Sequence, residues 1–224
     1  MLQTWKSSHP QTEFAPSWNI PFWNSVYTNP ADIDFAREWI INNEKKIIEQ
    51  FNDPGHRTHG DGGTGLGSDS LTSKYPYFNL FKLTRDIPAF KNIFSFIKHQ
   101  YVKFIDEHSN GKIRNCVFVS WANVVRQGQE FDAHDHGSGE YAYLSGNMHL
   151  DNYKTSTIYY CPFNEKNVKL FNNVKGGLTL FPSYVKHSVE KHTENKERVS
   201  LAFDLYVEGD KFTNGNEIEF IKVQ

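Results

Sequence analysis

The residues in this chain best suited to chemistry are three histidines and an arginine. His134 and His136 stand one residue apart in Asp132-Ala133-His134-Asp135-His136, and His187 and Arg198 follow downstream. If Phe131 to His136 is extended, side chains two apart lie on one face, so the first two imidazoles point the same way. That is a two-ligand platform for a divalent metal such as iron, nickel or zinc. His187 is the candidate third ligand, because it follows the strand-like run Leu178 to Pro182, which could lie beside the first strand in a barrel. Arg198 and Ser200 also share a strand face and offer a guanidinium fork and a hydroxyl to a carboxylate. Asp132 falls on the face of the two histidines and Asp135 on the opposite one unless a bulge intervenes. Either acid is a candidate ligand in place of His136 or a partner that orients an imidazole, with three histidines the preferred set.

These groups need rigid elements to hold them. From Lys112 onward the pattern has a period of two, and strands are expected at Arg114 to Arg126, Glu130 to His136, Leu144 to Leu150, Thr155 to Tyr160, Val168 to Phe171, Leu178 to Phe181, Lys186 to Lys191, Arg198 to Val207 and Glu217 to Val223. So many short strands without helices between them imply an antiparallel jelly roll. Upstream, Asn29 as cap and Pro30 at the first position start a helix that runs to about Phe51, with a weak apolar middle at Asn42 to Lys46. A second helix carries Phe90, Ile93, Phe94, Ile97, Tyr101, Phe104 and Ile105 at helical spacing and ends near Gly111. Both are expected on one outer face of a sheet. Residues 1 to 29 read as irregular because of their prolines, and Tyr75 to Phe81 as a short aromatic strand or extended segment. The run Gly60 to Ser68 lacks the Lys-Ser/Thr ending of a phosphate loop and reads as a flap or substrate loop.

Length and composition limit the alternatives. A chain of 224 residues fits one domain, read as a helical and loop extension over 1–111 and a β core over 112–224. Lysine and arginine total 24 against 26 acids, a net charge of -2, so no basic field argues for nucleic acid. Two cysteines, Cys116 and Cys161, suit neither a disulfide framework nor a thiolate zinc site and read as reduced core thiols. No signal-peptide pattern and no membrane-length apolar run occurs, so a cytoplasmic protein is the expectation.

Several words of the second half, Ser120-Trp-Ala-Asn-Val124, His134-Asp-His136, Leu144-Ser-Gly146, Gly177-Leu-Thr-Leu-Phe-Pro182, His187-Ser188 and Arg198-Val-Ser200, occur in an order that resembles the iron(II)- and 2-oxoglutarate-dependent oxygenases. The likeness is greatest to the bacterial and phage group that carries His-x-His in place of His-x-Asp. The upstream Ser70 to Lys74 and Phe78 to Leu80 are similar to this group as well. The resemblance implies a mainly β, α+β fold, a double-stranded β-helix with the two N-terminal helices packed outside. It implies that His134, His136 and His187 hold Fe(II), and that Arg198 and Ser200 bind the distal carboxylate of 2-oxoglutarate. The implied reaction decarboxylates 2-oxoglutarate to succinate and hydroxylates a small-molecule or peptidyl substrate. Asn123, polar in an apolar strand, is either a satisfied amide or a cosubstrate contact. Tyr141, Tyr143 and His149 could line the pocket, although core packing is the commoner role for tyrosine, and His192 reads as solvated in a charged turn. The competing reading is a non-catalytic or cupin-like metal-binding jelly roll, or a barrel used only as an interaction module.

Overall fold

Asn29 and Pro30 do start the first helix. In the computed structural model, which describes residues 1–7, 10–51, 62–109, 111–137, 143–207 and 218–219, helix α1 spans Pro30–Gln50 and the Asn29 side chain accepts from the Ala31 N–H at 3.2 Å. Its buried stripe is Ile33, Ala36, Ile40 and Ile47, with Glu44 filling the weak middle. Glu44 can be buried there because Arg126 reaches it with both terminal nitrogens, at 3.1 and 2.6 Å. Helix α2, Pro88–Ser109, buries Phe90, Ile93, Ile97, Tyr101, Phe104 and Ile105 as its spacing requires. Gly111, at φ 76, follows it in the left-handed region.

Among the described residues, eleven strands follow the order β1 Leu2–Lys6, β2 Asn19–Val26, β3 Cys116–Val125, β4 Phe131–His134, β5 Leu144–His149, β6 Ser156–Cys161, β7 Asn164–Asn172, β8 Gly177–Pro182, β9 His187–Val189, β10 Arg198–Val207 and β11 Ile218–Glu219. They form a seven-stranded sheet, β1-β2-β8-β5-β10-β3-β11, and a four-stranded sheet, β4-β9-β6-β7. Every pairing is antiparallel. One face of the larger sheet joins α1 and α2 in the main core, to which β10 contributes Val199, Leu201, Phe203 and Leu205. The alternate residues of β10 face the other way, yet they are buried too. The four-stranded sheet covers that second face, meeting it in two apolar clusters: Ile20, Phe22, Tyr159, Phe181 and Val185 in one, Val125, Phe131 and Val189 in the other. Both cysteines are buried free thiols. No described helix is long and apolar enough to cross a membrane.

Three expectations are corrected. The amino terminus is not irregular: β1 and β2 pair from Leu2 with Trp23 to Lys6 with Asn19, and β2 continues onto β8. Pro21 is tolerated because β8 pairs only from Trp23 onward, so the missing N–H breaks no ladder on that side. Tyr75 to Phe81 is not a strand. Short 3-10 helices at Thr72–Lys74 and Leu80–Arg85 flank it, the second capped by Asn79, whose side-chain carbonyl accepts from Phe81 N–H and whose amide donates to the Phe118 carbonyl. Capping chemistry outweighs aromatic strand propensity there. The first histidine strand ends at His134, two residues short of its expected end, and the last strand is described only at Ile218–Glu219.

Gly146 shows why the Leu-Ser-Gly word needs its glycine. A Cβ there would lie 2.3 Å from Phe203 Cζ and 2.8 Å from Leu180 Cδ2, and Phe203 cannot yield because it is fully buried and stacked on Phe118 with centroids 4.8 Å apart. Gly146→Ala is therefore expected to cost about 1–3 kcal/mol by overpacking. Thermal denaturation should read this as a Tm lowered by roughly 2–12 °C.

Candidate metal centre

The two histidine segments meet edge to edge. His134, last residue of β4, is the cross-strand partner of His187, first residue of β9. It is β9, and not the Leu178 to Pro182 strand, that lies beside β4; β8 sits in the other sheet between β2 and β5. His136 lies past the end of β4, where its N–H donates to the Ser183 carbonyl at 3.0 Å. A shared strand face is thus not what aligns His134 with His136. The backbone bends after His134, and the bend delivers the second imidazole. Ring centroids are 4.5 Å apart for His134 and His187, 5.1 Å for His136 and His187, and 5.4 Å for His134 and His136. One nitrogen from each ring lies within 4.8 Å of the other two.

All three rings have Nδ1 engaged by an oxygen. His134 Nδ1 is 2.8 Å from the Asp132 carbonyl, His187 Nδ1 is 3.2 Å from the Val185 carbonyl, and His136 Nδ1 is 2.6 Å from Asp204 Oδ1. Acceptors at Nδ1 fix the proton there and leave the Nε2 lone pairs for the shared centre. Burial, then the neighbouring His136 and His134, holds the His187 pKa well below its ordinary value. Burial, then His136, lowers that of His134. At His136 burial also disfavours the charge, but the charge and hydrogen bond of Asp204 outweigh it and raise the pKa.

Asp204 was not foreseen. It is buried on β10 and also accepts from Ser145 Oγ at 2.6 Å and Tyr206 OH at 3.2 Å. Its sequence signal was its place two, four and six residues along the Arg198 face, through Ala202 and Ser200. The foreseen acids lie elsewhere. Asp135 is exposed and accepts from the Gly137 N–H at 3.0 Å, while the Asp132 carboxylate is turned against Gly65, where a Cβ would come within 2.5 Å of Oδ2. Neither belongs to the cluster.

The triad opens into a cavity of about 230 Å³ between the sheets, whose lining includes Asn123, Asn147, Arg198, Ser200 and Asp204. Arg198 is 1% exposed, and its Nε and Nη1 have no hydrogen-bond partner. The Phe131 ring lies 5.7 Å from it, and burial without an acid lowers its pKa to about 10. Asn123 is on the wall with its side-chain carbonyl accepting from Thr72 Oγ1 at 2.8 Å. Gly62 and Thr64 of the glycine-rich run reach the same cavity, whereas Gly60 and Asp61 lie outside the described residues, as does Tyr141. Tyr143 is engaged by Tyr101 at 2.7 Å. His149 is buried and cross-strand to Ser200 but does not line the cavity. His192 is not solvated: it is fully buried, with Nε2 2.6 Å from the Lys196 carbonyl.

Residues 119–204 match the family model described as "Putative 2OG-Fe(II) oxygenase". Over that segment the chain is similar to the iron(II)- and 2-oxoglutarate-dependent oxygenases. No curated protein matches the sequence. Among solved structures, a Pseudomonas putida prolyl-4-hydroxylase is similar with a TM-score of 0.54 at 12% identity, covering 84% of this chain and 93% of that one. EvdO2 from Micromonospora carbonacea var. aurantiaca gives a TM-score of 0.55 at 10% identity, over 83% and 86%. The prolyl hydroxylase of Trichoplax adhaerens, in complex with a hypoxia inducible factor peptide fragment, gives 0.52 at 11% identity, over 84% and 83%. At such identities these likenesses concern the fold. The donor set fits the iron(II) and 2-oxoglutarate that the matched family is named for: imidazole nitrogens suit iron, and a buried guanidinium unpartnered among the described residues suits a carboxylate.

The buried imidazoles predict that the metal-free protein loses stability in acid. Below about pH 6.5 the unfolded chain protonates its histidines, while the fold holds His149 and His187 neutral. Stability present above that pH is lost as pH falls, by up to about 2.7 kcal/mol per pH unit for two protons. His136 has the opposite sign, its contribution being full below 6.5 and lost as pH rises through its raised value. Urea unfolding from about pH 8 to about pH 5 should show this fall, and His149→Leu should remove close to half of the acid-side slope.

Proposed function

We propose that this chain is an iron(II)- and 2-oxoglutarate-dependent hydroxylase in which His134, His136 and His187 hold iron(II), and Arg198 with Ser200 holds the distal carboxylate of 2-oxoglutarate. The observation that carries the reading is the guanidinium of Arg198, buried in the triad's own cavity with two nitrogens unpartnered. A buried cation without an anion is costly, and a dicarboxylate cosubstrate removes that cost when it binds. When bound, the metal and cosubstrate would supply oxygen activation, one atom of O2 going to succinate as 2-oxoglutarate loses CO2 and the other to the substrate C–H bond.

The chain's own contribution is placement. Carbonyls of Asp132 and Val185 hold the His134 and His187 rings with Nε2 forward. Arg198 and Ser200 orient the diacid from one strand face, and Asn123, fixed by Thr72, is a further contact on the wall. The apolar clusters at both ends of the intersheet space exclude water, which strengthens each polar contact within it. A cavity of about 230 Å³ is below the ~300–1,000 Å³ usual for ligand sites, so the prime substrate binds at its mouth, beside Tyr75 and Trp121. A small molecule or a peptide side chain fits that approach. The two facing antiparallel sheets are read as a double-stranded β-helix with the metal at its open end.

Anaerobic titration with iron(II) and then 2-oxoglutarate, followed by charge-transfer absorption and succinate release, tests the assignment. Arg198→Ala should weaken 2-oxoglutarate binding at least about 30-fold, the lower end of truncating one side of a buried charge pair, and leave metal binding within a few-fold. Cosubstrate binding indifferent to that change would remove the clamp, and metal binding without any 2-oxoglutarate response would favour the cupin-like reading.

A further inference from the structure

Three imidazoles give the metal no charge, whereas the His-x-Asp pattern that this chain departs from gives it a carboxylate. Asp204 is a buried carboxylate in contact with the cluster, 2.6 Å from His136 Nδ1. Its other two partners, the Ser145 and Tyr206 hydroxyls, are neutral. Among the described residues no lysine or arginine forms an ion pair with it. A buried carboxylate calls for an opposite charge nearby: with no metal bound a proton on His136 answers it, and a cation on the far side of the His136 ring would replace that proton.

We infer that Asp204 is a positioning residue that supplies to the metal, across His136, the negative charge that the missing carboxylate ligand would give. The inference rests on the triad's being the metal site. The hydrogen bond fixes the ring with Nε2 forward, and the carboxylate raises the donor strength of that nitrogen. At an effective dielectric of about 20, a unit charge one imidazole away, about 6–7 Å from the cation, changes affinity roughly 50 to 100-fold for each unit of the cation's charge, an upper bound before screening. Loss of such a partner typically costs about 10 to 100-fold in metal affinity. Asp135 lines the cavity and also favours charge on His134 and His136, but it is exposed and acts on His136 less than Asp204 does.

Asp204→Asn separates charge from orientation, because an amide oxygen still accepts from His136 while the charge is gone. The full chain, stripped of metal, is titrated anaerobically with cobalt(II) as an oxidation-resistant probe, and the reduction potential of the iron-loaded protein is measured. Asp204→Asn should raise the cobalt Kd about 10 to 100-fold, keep the visible cobalt bands of the parent, and shift the iron potential upward, since removing an anion disfavours the higher oxidation state. A Kd within about threefold of the parent, or a potential that does not rise, overturns the inference. If the parent itself binds no cobalt, the metal-site reading falls instead. Should Asp204→Asn fail to fold, Ser145→Ala decides. Stripping a donor from Oδ1 leaves more charge for His136, so metal binding as tight as the parent's or tighter supports the inference, and weaker binding overturns it.

Discussion

The site depends on β10 being buried on both faces. A strand sandwiched between a helix layer and a second sheet alternates its side chains between two interiors. Val199, Leu201, Phe203 and Leu205 enter the helix-facing core, and Arg198, Ser200, Ala202 and Asp204 enter the intersheet space. An ordinary second interior would be apolar. Here it is apolar only at its ends, so the polar residues between are desolvated groups held in place ahead of their partners. Among the described residues, Arg198 has no acid and Asp204 no lysine or arginine. The fold bears that desolvation, and the gain is that neither group has to reorganise when a ligand arrives.

The same strand sets the length of what can bind. Six residues separate Arg198 from Asp204, roughly 20 Å along an extended backbone. At one end the imidazole of His136 and a metal radius project from Asp204, and at the other the long arm of Arg198 reaches back. On the proposed reading, what remains would admit a short diacid with one end near the metal and the other near the guanidinium. Asn123 and Ser200, register partners on β3 and β10, flank that gap.

Much of this was legible because it is periodic. The helix starts, the apolar stripes of α1 and α2, and the bounds of β10 follow from spacing that local physics enforces. The three histidines, Arg198 and Ser200 were readable by type and order. What was not readable depends on partners remote in the chain. The β1–β2 hairpin looked irregular because its prolines are harmless only where β8 stops pairing. Asp204 looked like one acid in a long strand until the fold set it against His136, and His192 looked solvated until the Lys196 carbonyl closed over it. The bend after His134 was missed for a different reason. Alternation gave the right convergence by the wrong geometry, since the Ser183 carbonyl, and not the pleat, carries His136 into place.

That bend has a structural consequence for the chemistry. Were His136 a continuation of β4, it would be tied to β9 alone, and both strand histidines would move with the smaller sheet. Instead its backbone is anchored at Ser183, just past β8, and its ring at Asp204 on β10, both belonging to the seven-stranded sheet. His134 and His187 belong to the four-stranded sheet. A cation bound by all three rings therefore cross-links the two sheets at the polar middle of their interface, where apolar packing is thinnest. The proposed cosubstrate clamp, Arg198 and Ser200, sits on the same strand as Asp204, so metal and diacid would both be referenced to β10, and loosening that strand would uncouple them together.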